Sequence, residues 1–251
     1  MPESESEPAE KTKGGADWSK ILTASGGVIA AVAALLTALN AIGVIGRQAA
    51  SPTPNAVIAQ ATATRTPLFL TVDERFADPG TGWDSRSDDD AECAYRDGEY
   101  RILVKAPQLA VWANPGTDYD LSDLSLTVEA HSVAGTDDNE YGIVLRYVDR
   151  GNFYLFVVSS DGQYSVRMNQ ESEWVTLKPW ARSTAIRQGQ GTNILRVEAR
   201  GPEMLFYANN ELLTIVNDTT FASGSFGLAV GTFDEGGVEV RFDSLLVRSL
   251  P

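Results

Sequence analysis

Apolar and polar residues change their spacing twice along this chain. From Ile21 to Gly46 there are 26 residues without a charge, rich in Ala, Val, Leu, Ile and Gly and bounded by Lys20 and Arg47. As a helix that stretch reaches roughly 39 Å, long enough to cross a hydrocarbon core of about 30 Å with some tilt. It therefore predicts one transmembrane helix, and it exceeds the apolar core of a cleaved signal peptide, which runs only about 7 to 15 residues. Lys11, Lys13 and Lys20 precede the span, while Arg47 and the more distant Arg65 follow it. That bias sets the N-terminus in the cytoplasm and the C-terminal bulk outside, at the cell membrane.

From Leu68 onward the period is two. Tyr100, Ile102 and Val104 alternate with Arg101 and Lys105, Leu124, Leu126 and Val128 with Ser125 and Glu129, and Leu195, Val197 and Ala199 with Arg196 and Glu198. Each run buries one face of a strand and wets the other. Hairpin turns are marked by Asp97-Gly98, Asp149-Arg150-Gly151-Asn152, Asp161-Gly162, Arg200-Gly201-Pro202 and Asn209-Asn210, residues that tolerate the positive φ of tight turns. The runs 142–148 and 153–160 are apolar in both phases, apart from Arg146 and tyrosines, so they predict central strands covered on both sides. A dozen or more strands in about 180 residues exceed a seven-stranded immunoglobulin module and suit an all-β, two-sheet antiparallel jelly roll.

The expected organisation is a polar tail over 1–20, the helix over 21–46, an Ala/Thr/Pro-rich stalk over 47–68 and an ectodomain over 69–251. Gly26, Ala30, Ala34 and Ala38 recur at i+4 in the span and form a small-residue ridge along which two copies would pack as a homodimer.

Runs 141–146, 152–156 and 161–164 resemble the central hairpins of concanavalin A-like and laminin G-like jelly rolls. Residues 193–197, 207–209 and 240–243 fit the same template. Phe76-Ala77-Asp78 and Gly82-Trp83 are similar to the opening of the bacterial branch that includes the 3-keto-disaccharide hydrolase domain. The resemblance covers about 69–250, specifies the fold far better than an activity, and allows a hydrolase of a sugar derivative.

Charge narrows the partners. The chain of 251 residues carries a net −14, and because the tail and span sum to zero, all of it lies in 69–251. A sequence-independent grip on nucleic acid is thereby excluded. One cysteine, Cys93, and one histidine, His131, form neither an internal disulfide nor a Cys/His zinc site. Hydrolytic motifs are missing: no serine occupies a Gly-x-Ser-x-Gly elbow, and no Glu-x-Asp-x-x-Glu run supplies the close carboxylates that a retaining glycosidase needs. Glu129 and His131 share a strand face, as a base and its orienter would, or as a solvated edge does.

Two further groups carry candidate chemistry. Asp88, Asp89 and Asp90, and Asp137, Asp138 and Glu140, are acidic clusters of the kind that hold calcium, or else plain solvated loops. No other cofactor is called for. Arg146, in an otherwise apolar strand, must be paired or face a wet groove. With Tyr154, Arg167, Asn169, Trp112, Trp174 and Trp180 it could line a groove for a glycan or cell-surface polymer, aromatic faces meeting sugar C–H groups and polar side chains the hydroxyls. The expected function is a non-catalytic carbohydrate-binding ectodomain, with the sugar-derivative hydrolase and a protein-interaction or structural ectodomain as alternatives.

Overall fold

A computed structural model describes residues 70–251. The tail, the expected span, its small-residue ridge and the stalk lie outside the described residues. Among the described residues no helix is long and apolar enough to cross a membrane.

Among the described residues fifteen strands form two antiparallel sheets. The larger runs in the order β13 (Glu211–Asn217), β12 (Glu203–Ala208), β11 (Asn193–Arg200), β6 (Leu124–Ala134), β15 (Val238–Ser249), β4 (Glu99–Val104), β3 (Ala91–Arg96) and β2 (Arg86–Ser87), with β1 (Thr71–Glu74) paired to β15. The smaller runs β10 (Glu173–Arg182), β9 (Gln163–Gln170), β8 (Asn152–Val158), β7 (Asn139–Asp149), β14 (Ser225–Thr232) and β5 (Ala110–Ala113). The expected two-residue hairpins are present. Asp97 and Gly98 turn with φ of 56° and 85°, and Asn209 and Asn210 with 50° and 71°, the paired positive values of a type I′ turn.

The alternating runs face inward as their period demands. Tyr100, Ile102, Val104, Leu124, Leu126, Val128, Leu195, Val197 and Ala199 are fully buried in the core between the sheets. Opposite them the smaller sheet contributes Tyr141, Ile143, Leu145, Tyr154, Phe156, Val158, Phe226 and Leu228. Cys93 is buried in the same core, and burial pushes its thiol up to about 12, which leaves it inert.

The strands apolar in both phases, β7 and β8, are central in the smaller sheet. Their second face forms a separate cluster in which Val144, Phe153, Leu155, Val157 and Ala229 pack with Trp112, Tyr147, Trp174 and Trp180. Gly142 lies on this outer face opposite Val157, where a Cβ would fall 2.0 Å from the Phe156 carbonyl oxygen. Gly142→Ala should therefore force β7 and β8 apart and cost at least about 2 kcal/mol of stability. Urea denaturation followed by tryptophan fluorescence measures this, and an unchanged midpoint would contradict the close approach.

Candidate functional site on the outer face of the smaller sheet

Register, more than any motif, assembles the site. Phe153 pairs across the ladder with Asn169 and Asn169 with Trp174, so these three share one row. The next row runs Gly227, Val144, Leu155, Arg167 and Thr176, and the one beyond it Trp112, Ala229, Gly142, Val157 and Ser165. Alternation turns all of them away from the core. The β14 positions on this face are small, Gly227, Ala229 and Gly231, and Trp112 on the edge strand reaches over them. Its ring centroid stands 5.0 Å from that of Phe153, three strands away. Phe153 in turn meets Tyr147 at 5.8 Å and Trp174, edge to face, at 5.7 Å.

Arg167 occupies the centre of this aromatic surface. Its guanidinium lies 5.2 Å from the Trp174 ring centroid and 5.9 Å from that of Trp180, which packs edge to face on Phe233 at 6.1 Å. One Nη donates to the Glu140 carboxylate, and both side chains are buried. Space for that carboxylate comes from Gly231, where a Cβ would sit 2.6 Å from Glu140 Oε1. The pairing answers the cost of burying a charge and aims a planar cation between two indoles.

Asn169 is different. It is 0% exposed, and neither its amide nitrogen nor its amide oxygen has a hydrogen-bond partner among the described residues. Each buried polar atom left unpaired costs about 1–3 kcal/mol.

Five of the seven sequence-predicted ligand residues, Trp112, Trp174, Trp180, Arg167 and Asn169, thus come together. Arg146 and Tyr154 stand apart from them. A β-bulge and a φ of 48° at Arg146 turn its side chain out of the outer-face row. Its Nη1 donates to the Phe221 carbonyl at 2.9 Å, and its Nη2 to those of Ser122 at 2.9 Å and Gly201 at 2.6 Å. Tyr154 sits on the core face, donating from its hydroxyl to Asp218 at 2.5 Å and accepting from the Phe221 N–H at 3.1 Å. Burial and the Asp218 contact push that phenol up to about 12. Arg146 and Asp218 do line a cavity of about 310 Å³ with Asp123, Pro202 and Phe221, at the turns that end the sheets. The guanidinium is already engaged by carbonyls there.

No protein-family model and no curated protein sequence matches the chain. Solved structures do. A carbohydrate-binding module, CBM66, from Bacillus subtilis aligns with a TM-score of 0.55 at 17% identity, over 67% of this chain and 96% of that one. The β-glucanase of Bacillus licheniformis aligns at 0.54 and 7% identity, over 72% and 98%. A Bacillus subtilis protein of unknown function with a galectin-like fold aligns at 0.54 and 5% identity, over 71% and 94%. The fold is a two-sheet antiparallel jelly-roll sandwich. At such identities the likeness is one of fold alone.

On this jelly roll the acidic clusters are spread out. Asp88 accepts from Arg86 and from the N–H groups of Asp90 and Ala91, and the Asp90 carbonyl accepts from Lys105 and Ala106. Asp89 sits in the same turn, Asp137 takes the Ser159 hydroxyl on its carbonyl, Asp138 donates its N–H to Thr136, and Glu140 belongs to Arg167. Among the described residues no three His, Cys, Asp or Glu side chains gather as a metal site would require. His131 lies 3.9 Å from Glu99 on the outer face of the larger sheet, away from the tryptophans. Sequence reasoning missed Phe153, Tyr147 and the Glu140 pairing, because only the register shows which aromatic residues share a row with Asn169.

Two outcomes follow from these contacts. Arg146→Met strips three carbonyls of their donor and should cost about 3 kcal/mol or more in denaturant titrations while leaving the Trp174 environment intact. Unaltered stability would show that the guanidinium tie is dispensable. The hydrogen bond from Arg86 holds the Asp88 carboxyl at about 2, so its stabilising effect is complete above the ordinary carboxylate range and is lost as pH falls toward 2. Asp88→Asn should therefore flatten the loss of stability between about pH 4 and pH 2, read by thermal melts across that window.

Proposed function

We propose that this chain is a membrane-anchored, non-catalytic binding protein for a glycan, held on the outer face of the six-stranded sheet. The observation that carries the reading is the set of half-buried indoles, Trp112, Trp174 and Trp180, spread over Phe153 and Arg167 on this face. Their flat apolar faces suit the C–H faces of a sugar ring, with the Arg167 guanidinium held between Trp174 and Trp180. The fold is also one that a carbohydrate-binding module uses. The anchor rests on the uncharged run 21–46, and the bias of Lys11, Lys13 and Lys20 before it supports an orientation with the sandwich outside the cell.

The hydrolase reading has less to draw on. The outward rows around Arg167 and Asn169 contain one carboxylate among the described residues, Glu140, and it is committed to an ion pair. A retaining mechanism needs two carboxyl groups about 5 Å apart, with one of them able to hold a proton.

A glycan array probed with residues 69–251 tests the proposal. Binding to at least one glycan is expected, and Trp174→Ala and Trp180→Ala should each weaken it at least about tenfold while melting within a few degrees of the parent. Absence of binding to every sugar, or variants that bind undiminished, would overturn it. Release of reducing sugar from a bound glycan would favour the hydrolase.

A further inference from the structure

The cavity beside Arg146 shares no lining residue with the aromatic face. Three connections meet around it: the residues leading into β6 bring Asp123, the β11–β12 turn brings Pro202, and the segment between β13 and β14 brings Asp218 and Phe221. Arg146 of β7 is its most deeply buried lining residue, 1% exposed, while Ser122, Thr219 and Ala222 are exposed at its rim. Its volume of about 310 Å³ lies at the lower end of the roughly 300–1,000 Å³ of small-molecule clefts, which suits one sugar-sized ring.

The polar groups of the lining are held in place with capacity to spare. Asp123 accepts the Gly201 N–H at 2.8 Å and Asp218 the Thr220 N–H at 2.8 Å, each on Oδ1. An ionised carboxylate has acceptor sites on both oxygens, so one such bond orients the side chain without exhausting it. A guanidinium has five N–H groups. Three of those on Arg146 go to main-chain carbonyls, which leaves the second N–H of Nη1 and that of Nε without an acceptor among the described residues. Burial disfavours its charge, and Tyr154, Asp123 and Asp218 act against that from nearby.

The mixed sign of this lining decides between ligand classes. A carboxylate or phosphate would meet Asp123 and Asp218, and an ammonium would meet Arg146, each at the Coulomb cost of like charges in a partly dry site. A hydroxyl suits both, because it accepts from a guanidinium and donates to a carboxylate. Half-buried Phe221 adds an apolar wall of the kind that takes the C–H face of a sugar ring.

We propose that this cavity is a second carbohydrate site, which takes a single neutral sugar residue, its hydroxyls shared between Arg146 and the carboxylates of Asp123 and Asp218 and one face against Phe221. It stands independently of the aromatic face, and by its size it holds the end of a glycan rather than an internal stretch.

Saturation-transfer NMR on the full chain in a sugar-free detergent tests it, with D-glucose, D-galactose, D-mannose, L-fucose and D-fructose offered singly as probes. Transfer to at least one of them is expected, in the parent and equally in Trp174→Ala. Because Arg146→Met should itself destabilise the fold, the cavity is blocked from its exposed rim instead. Ala222→Trp should cut the transfer at least about tenfold while melting within a few degrees of the parent. D-Glucuronate, whose carboxylate would face Asp123 and Asp218, should give no comparable signal. Transfer to no sugar of the panel, transfer undiminished by Ala222→Trp, or equal transfer to D-glucuronate would each overturn the proposal. Transfer lost in Trp174→Ala but kept in Ala222→Trp would also overturn it, by assigning the sugar to the aromatic face.

Discussion

Everything on this molecule is arranged around a sheet that is apolar on both faces. A strand in a two-layer sandwich ordinarily gives one face to the core and the other to water, yet β7 and β8 carry Val144, Phe153, Leu155 and Val157 on the side away from the core. Burying that second face requires something large and flat, and four half-buried aromatic residues supply it. Their rings in turn create the surroundings in which Arg167 must find Glu140 and in which Asn169 has no hydrogen-bond partner among the described residues. The polar chemistry of the site is thus a consequence of apolar excess in the strands below it.

That excess was legible in the sequence. Runs 142–148 and 153–160 break the alternation that Leu124, Leu126 and Val128 keep, and breaking it is the signature of a strand covered twice. The hairpins were equally legible, because Asp97-Gly98 and Asn209-Asn210 state their turn type in two residues. Cross-strand register was not. Asn169 joins Phe153 and Trp174 only because the turn between β8 and β9 closes where it does, and a slip of one residue there would turn Asn169, with the Trp174 paired to it, to the core while Phe153 kept its place. Arg146 shows the same limit from the other side: alternation assigns it to the outer face with Val144, and a bulge with positive φ removes it.

Charge is handled locally rather than by exclusion. On the outer face of the larger sheet Arg101 lies between Glu92 and Glu239, and Arg241 reaches Glu239 at 3.3 Å and Glu99 at 3.1 Å. Hydrogen bonds from Arg101 and Arg241 outweigh burial at Glu239 and hold its carboxyl below the usual range. The two large faces of the sandwich therefore differ in kind, one a lattice of ion pairs and the other aromatic with a single buried pair. A neutral, flat ligand meets little competition from water on the second and a full hydration shell on the first.

The three carbonyls held by Arg146 belong to Phe221, Ser122 and Gly201, which stand 75, 24 and 55 residues away along the chain. A contact of that kind cannot form until several distant hairpins have met, and each such closure is slow because chain entropy is lost before any bond repays it. The arginine is then a late clasp in folding, absent from early collapsed states and made only when both sheets are nearly native. Until it closes, the turns at that end of the sandwich are the region where an unfinished chain exposes its backbone longest.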